Sequence, residues 1–180
     1  MAHLVKLPSK IYLQECFEYN QRTGELRWRT RPLHHFSSAK NQAIFNVRWA
    51  GKLAGLVSAR GYRYIRLGRQ GYLAHRLIWK MMTGKDPRFT VDHKDTNKLN
   101  NRWVNLRSAT RQEQKWNMTR PTNNTSGYKG VSWKRKNKSW CATINIDGIR
   151  QYIGLFATAK KASLAYQVAA RKLHGEFYRA

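Results

Sequence analysis

The stretch VDHKDTNKLNNRWVNLRSATRQEQKWNM, Val91–Met118, sets an acid beside a histidine, follows them with an asparagine-rich tract and closes on a helix signal. RFTVDHK reads as a short strand, DTNKLNNRWVN as a loop and LRSAT as a second short strand. The Thr110 hydroxyl can cap the amide of Glu113, whose carboxylate reaches back, so TRQE is a capping box that starts a helix. That box fixes the phase of the helix: Gln114 and Asn117, three residues apart, share one face. Asp92 and His93 are neighbours on a strand, so their side chains leave it on opposite sides.

Upstream, AHRLIWKMMTG predicts a helix of about three turns, with Leu77, Ile78 and Met81 on one face and Gly84 as its stop. YRYIRLG and GYLAHR flank a GRQG turn and predict a hairpin. An earlier hairpin is expected in FEYNQRTGELRWR. Before it SKIYLQECFEYN predicts a helix capped by Ser9, with Ile11, Leu13 and Phe17 as its apolar positions. Residues 31–50 are poorly patterned. Downstream, the polar TRPTNNTSG predicts a linker over 119–126. Beyond it three runs alternate at period two, the last two joined by a strong turn at Asp147–Gly148. A helix over 158–174 ends the pattern, with Ala162, Ala165, Ala169 and Leu173 as a stripe against the sheet. Trp140, Ala142, Ile144 and Ile146 should face that helix, leaving Cys141, Thr143 and Asn145 on the other side. The fold class expected is α+β.

The chain has 180 residues, 41% of them hydrophobic, enough for one or two small cores. Its 35 Lys and Arg against 9 Asp and Glu give a net charge of +26. The excess is spread over all three thirds of the chain, so a basic tail does not explain it. A polyanion is the expected partner. No apolar run is long enough to span a bilayer and no basic amphipathic helix carries bulky anchors, which argues for nucleic acid over membrane. MAHLVKLPSK lacks the core of a signal peptide, so a cytoplasmic setting is expected, in a bacterial or phage-infected cell. Cys16 and Cys141 are too few for a disulfide framework or a four-cysteine zinc site and are read as reduced and structural.

With nucleic acid as partner, the chemistry open to Val91–Met118 is phosphodiester hydrolysis. This needs an activated water and charge neutralisation at the leaving oxygen, which a histidine base and one divalent ion on hard oxygen ligands can supply. The pattern DHKD followed by NNRWVNLR and the capped helix resembles the HNH homing-type endonucleases of phages and mobile introns, which have the ββα-metal fold. The resemblance covers Gly61–Met118. It implies Asp92 as a metal ligand, His93 as the general base, Asn105 as the residue that pins the loop, and position 114 as the completing ligand of one Mg2+ or Mn2+ ion. In the family that last position is Asn or His. Here it is Gln114, whose extra methylene moves the amide oxygen by about 1.5 Å, and Asn117, one turn on, is the rival ligand.

The segment SGYKGVSWKRKNKSWCATINIDGIRQYIGLFATAKKASLAYQVAARKLHG resembles the Apetala-two/ERF DNA-binding domain, through YKGV, the Trp-Ala-Ile alternation of its second strand, YIGLF and the closing helix. That resemblance implies a three-stranded sheet held on one helix, with Lys129, Ser132, Lys134, Arg135, Asn145, Arg150 and Tyr152 as DNA contacts. Residues 1–60 are expected to extend the DNA-binding surface through Arg27, Arg29 and Arg31, and Lys94 and Lys98 to touch phosphates. His75 is expected to order the local fold, and His3, His34, His35 and His174 to lie at the surface. Trp79 and Trp140 read as core, Trp116 and Trp133 as exposed. The expected protein is a duplex-DNA endonuclease with a nuclease core over 61–118 and a DNA-binding domain over 127–180. The alternatives are a DNA-binding regulator with a degenerate site and an RNA-directed protein.

Overall fold

The structure, a computed structural model, describes residues 5–118 and 124–178. The expectations for His3 and for the 119–123 part of the linker lie outside the described residues. The chain divides into two compact units, Met1–Ser108 and Ala109–Ala180.

In the first unit α1 (Lys10–Cys16) begins where the Ser9 hydroxyl accepts the Tyr12 N–H, and ends as Phe17 turns extended into β1 (Phe17–Tyr19). Leu13 and Phe17 are buried as expected, but Phe17 belongs to the strand and Ile11 is exposed. β1 pairs antiparallel with β2 (Leu26–Trp28), Phe17 opposite Trp28. A short 3-10 turn, Leu33–His35, leads to α2 (Ala39–Trp49), a helix that nothing in the 31–50 pattern announced. The Ser38 hydroxyl caps it on the Asn41 amide, and none of its residues is buried, so it has no apolar stripe to read. β3 (Leu56–Val57), β4 (Arg63–Leu67) and β5 (Gln70–Leu73) form an antiparallel sheet in that order. The chain then enters α3 (Ala74–Thr83), stopped by Gly84 at φ 75°. β6 (Thr90–His93) pairs with β7 (Leu106–Ala109), and the loop between them ends in a 3-10 turn, Trp103–Asn105.

One apolar core joins all of this. Leu13 from α1, Leu26 from β2, Ile65 from β4, Leu77 and Ile78 from α3, Val91 from β6 and Leu106 from β7 are buried together. Each such side chain contributes about 1.5–3 kcal/mol. The expected division at residue 60 is therefore not a boundary between separate bodies, because the first hairpin and the later strands share this core.

Arg31 and His35 also depart from expectation. Arg31 is buried, its guanidinium 4.9 Å from the centre of the Phe36 ring and 5.0 Å from that of Phe45, with Tyr12 and Trp28 further out. It donates to Tyr12 Oη at 2.9 Å and to His35 Nδ1 at 3.1 Å. Arg31 is thus a cation inside an aromatic cage rather than a surface contact, and the His35 side chain is only 1% exposed. His34 is exposed, as expected.

In the second unit α4 (Arg111–Asn117) has its complete capping box, Thr110 N–H to Glu113 Oε2 at 2.7 Å and Glu113 N–H to Thr110 Oγ1 at 3.2 Å. β8 (Val131–Lys134), β9 (Ser139–Ile146) and β10 (Ile149–Phe156) form an antiparallel sheet with β9 central. Asp147 and Gly148 take φ of 52° and 83°, the left-handed pair of a tight hairpin turn. α5 (Ala159–His174), capped by Thr158, packs on this sheet. Val131, Ala142 and Ile144 are buried against it, with Trp140 and Ile146 alongside. The helix is rotated from the expected stripe: Ala162, Tyr166, Ala170 and His174 are buried, Ala165 and Ala169 are half-buried and Leu173 is exposed. The true stripe advances by four residues and runs through a tyrosine and a histidine, which a reading of small apolar side chains passes over. Trp116 is not displayed either; its ring stacks on His174 at 4.2 Å. Cys141, on the far side of β9, is nevertheless buried.

Gly130, at φ 73°, backs onto this helix, and a Cβ there would lie 2.2 Å from the Tyr166 ring. Gly130→Ala should destabilise the second unit by at least about 2 kcal/mol. A urea titration followed at residues of α5 and β9 measures it, and an unchanged midpoint would contradict the packing described.

Candidate functional site

β6 delivers Asp92 and His93 side by side. Across the pair of strands, β7 presents Arg107, which donates to Asp92 Oδ2 through Nε at 3.2 Å and through a terminal nitrogen at 3.1 Å. Both groups are largely buried, so each charge leans on the other. Arg107 was not among the expected site residues; it follows Leu106 in a short strand, and only its partner sets it apart.

His93 is buried, and its Nε2 lies 3.0 Å from Oδ1 of Asn101. An amide oxygen can only accept, so Nε2 carries the proton and Nδ1 is the lone-pair nitrogen. The rings of His75 and Tyr62 lie 5.0 and 6.2 Å away, His75 edge-to-face. Burial pushes the His93 pKa down, against the Asn101 bond and the nearby carboxylates of Asp92 and Asp95. The neutral imidazole is the form a base requires. His75, from the first turn of α3, is pushed down to about 3 by burial, with His93 and Arg76 adding to it. It is a neutral ring packed against His93.

The loop after His93 is folded on one amide. Asn105 Oδ1 accepts the Asp95 N–H at 3.1 Å, while its Nδ2 donates to Asp95 Oδ1 at 2.9 Å and to the Asn100 carbonyl at 2.7 Å. Asp95 also accepts from the Asn97 amide and from Asn100 Nδ2. Burial would raise its pKa, but the bonds from Asn100, Asn105 and Asn97 outweigh it and hold the carboxyl below its ordinary range. Asp95 and Asn101 were read as turn formers, and only their partners distinguish them from the other residues of the tract.

Lys94 is exposed. Lys98 is not held outward: its ammonium donates to the Arg60 carbonyl at 3.0 Å and sits 4.8 Å from the Tyr62 ring centre. Arg27 and Arg29 are exposed, the first paired with Glu25 at 2.9 Å. In the second unit Gln114 is half-buried and Asn117 buried on α4. Ser132, Lys134, Asn145, Arg150 and Tyr152 are exposed. Their register puts them on one face: Arg150 lies opposite Asn145, Tyr152 opposite Thr143, Ser132 opposite Cys141 and Lys134 opposite Ser139. Arg135 is exposed in the turn between β8 and β9. Lys129 stands apart, its ammonium donating to the carbonyls of Trp116 and Met118 at the end of α4.

By proximity alone, one group of His and acidic side chains among the described residues could hold a metal: Glu15, His34 and His35. Hydrogen bonding argues otherwise. Arg31 Nε–H donates to His35 Nδ1, so the proton of that ring is on Nε2 and is given to Glu15 Oε2 at 2.7 Å. A metal on Nε2 would need a lone pair there. This cluster is a hydrogen-bonded relay that links the caged Arg31 to a carboxylate.

The first unit thus brings together an Asp-His strand end, an amide-pinned loop and a returning strand. Residues 72–115 match the family model described as HNH endonuclease. The chain is 35% identical over 106 residues to protein 3.8 of Escherichia phage T7, covering 58% of this chain and 87% of that protein. It is also 35% identical over 122 residues to the uncharacterized HNH endonuclease L560 of Acanthamoeba polyphaga mimivirus, covering 62% of this chain and 63% of that one. A solved structure of DNA binding and cleavage by the HNH homing endonuclease I-HmuI aligns over 81% of this chain and 74% of that one, at 24% identity and a TM-score of 0.36. The chain belongs to the HNH endonuclease family.

His75 gives a stability prediction. The unfolded chain takes a proton on this residue below about pH 6.5, whereas the native ring stays neutral down to about 3. Stability is therefore lost as pH falls through that window, by up to about 1.4 kcal/mol per pH unit from this one group. His75→Phe should flatten the fall of the urea midpoint between pH 6 and pH 4. An unchanged slope would mean that the native ring titrates normally.

Proposed function

We propose that this protein is a divalent-metal-dependent DNA endonuclease of the homing type that nicks or cleaves duplex DNA. The observation that carries the reading is His93: a buried, neutral imidazole whose proton is committed to Asn101, next to a carboxylate, within the segment that matches the family. In the reaction Nδ1 of His93 takes a proton from a water as its oxygen attacks phosphorus. The bond from phosphorus to the leaving sugar oxygen breaks, and that oxygen takes a proton from solvent. Asn105 and Asp95 hold the loop so that the base does not drift.

The donor chemistry fits one hard divalent ion, Mg2+ or Mn2+: the Asp92 carboxylate together with an amide oxygen, that of Gln114 by the family's motif spacing or that of Asn117 by its side-chain chemistry. Such an ion would neutralise charge on the phosphate and the leaving oxygen. The guanidinium of Arg107 on Asp92 opposes cation binding, so affinity for the free ion should be modest.

DNA would be held by the second unit, whose 127–180 segment we read as an Apetala-two/ERF-like domain. Ser132, Lys134, Asn145, Arg150 and Tyr152 share one exposed sheet face, and Arg135 lies beside it, an arrangement suited to a groove. Arg27, Arg29 and Lys94 would add phosphate contacts from the first unit. Among the described residues no helix is long and apolar enough to cross a membrane; the cytoplasm of an infected host cell is the proposed setting. A regulator with a decayed site is the second reading, favoured by Gln114 in place of the usual Asn or His.

Supercoiled plasmid with Mg2+ or Mn2+ should be converted to nicked or linear forms, His93→Ala should abolish this, and structured RNA should survive. Metal-dependent cleavage that persists in His93→Ala, or no cleavage at all, would remove the enzyme reading. Gln114→Asn should raise cleavage or metal affinity if position 114 is the ligand. No change there, with loss in Asn117→Ala, would move the role to Asn117.

A further inference from the structure

The β1–β2 hairpin lies far from Val91–Met118 in sequence, yet two of its residues converge on the loop that holds His93. Tyr19 Oη donates to the main-chain oxygen of Asn101 at 2.7 Å. Gly24, at the hairpin's turn, is buried with φ 79°. A Cβ at Gly24 would fall 2.6 Å from the Asn101 carbonyl carbon and 2.5 Å from the Arg102 nitrogen. The hairpin backbone therefore rests on the loop backbone more closely than any L side chain allows. Asn101 is only 1% exposed, and its side chain makes the bond to His93 Nε2.

The loop's own bonds do not explain this placement. Asn105, Asp95 and Asn97 fix residues 94–100 through side-chain bonds to their backbone and to one another. At Asn101 the loop contributes a main-chain bond to the Leu99 carbonyl, which does not orient the amide side chain toward His93. Beyond that bond, the close contacts on the Asn101 backbone among the described residues come from the hairpin, through Tyr19 Oη and Gly24.

We propose that the β1–β2 hairpin is a positioning element of the nuclease site, with Tyr19 and Gly24 as its positioning residues. They seat Asn101, and Asn101 decides which nitrogen of His93 carries the proton. The proposal rests on His93 being the base. It gives the N-terminal segment a role in catalysis beyond the phosphate contacts proposed for Arg27 and Arg29. A shift of about an ångström at Asn101 releases the His93 ring to its other tautomer, with the lone pair on Nε2 instead of Nδ1. The base then points its proton where its lone pair is needed.

The test uses the full-length protein in three forms: wild type, Tyr19→Phe and Gly24→Ala. Long-range 1H–15N correlation of the histidine rings, assigned against His93→Gln, reads the His93 tautomer without metal or DNA. Single-turnover cleavage at saturating DNA and equilibrium DNA binding separate rate from affinity. Wild type should show the Nε2–H pattern at His93, and both variants should shift it toward a mixture. Cleavage should slow about ten-fold in Tyr19→Phe and about a hundred-fold in Gly24→Ala, with DNA affinity unchanged. Because Gly24→Ala can unfold the hairpin, Tyr19→Phe decides the matter, at a temperature where circular dichroism shows both proteins folded. Wild-type nitrogen shifts in Tyr19→Phe would overturn the proposal, as would a wild-type rate. If no form cleaves DNA, the nuclease reading fails, and the tautomer shift still decides whether the hairpin positions the ring.

Discussion

The excursion from Lys94 to Asn105 leaves one strand and returns to its neighbour with no regular structure of its own until its last turn, and the Asn105 amide closes it. That side chain bonds both ways to Asp95 and donates to the Asn100 carbonyl, while its main-chain oxygen takes the Lys94 N–H. An amide suits the position because it offers an acceptor and donors at once. An aspartate would set a second carboxylate against Asp95, and an alanine would leave buried backbone groups without partners. The course of the loop after His93 and the return of β7 to place Arg107 on Asp92 depend on this closure. Local asparagine chemistry therefore stands in for the hydrophobic packing that a short, polar loop cannot supply.

Much of this was legible in the sequence because local signals dominate it. The capping box at Thr110, the left-handed turn at Asp147–Gly148 and the stop at Gly84 are short-range devices whose geometry arises from a few residues. Asp92, His93 and Asn105 were named through the family resemblance; the structure puts the first two side by side on β6 and Asn105 at the end of the loop that follows. The features that were not legible are long-range. Tyr19 meets Asn101 across 82 residues of sequence, His35 is buried beside the caged Arg31, and α2 is tied down by Gln42 and Asn46 side-chain bonds to the Arg31 backbone and by the half-buried Phe45. A periodicity argument has no purchase on these. The misread stripe of α5 has a different origin: it passed over Tyr166, which packs on the sheet, and set at the surface His174, which is buried against Trp116.

The charge tells a related story. A net charge of +26 points to a polyanion, but the census overstates the outward surface. Arg31 is enclosed by rings, Arg107 is paired with Asp92, Lys98 is bound to a carbonyl and an aromatic face, and Lys129 ends a helix. Each of these cations satisfies the fold, and Lys129 favourably meets the negative end of the α4 dipole. On the proposed reading the cations available to phosphate would be, among the described residues, the exposed ones on the outer face and turn of the C-terminal sheet and on the surface of the first unit.

This distribution bears on how a metal ion would reach the site. On the proposed reading Asp92 is its one carboxylate ligand, and that carboxylate already carries a guanidinium inside a strongly basic protein. A free dication approaching alone meets repulsion from the whole chain and finds a charge that is largely neutralised. Phosphate reverses both terms, because it adds negative charge at the site and attracts the same arginine. On the same reading metal and DNA would bind with positive coupling, each raising the affinity for the other equally by linkage. A glutamine at position 114 is tolerable in such a scheme. On that reading Asp92 would supply the charge that holds the ion, and the amide oxygen would contribute orientation more than affinity.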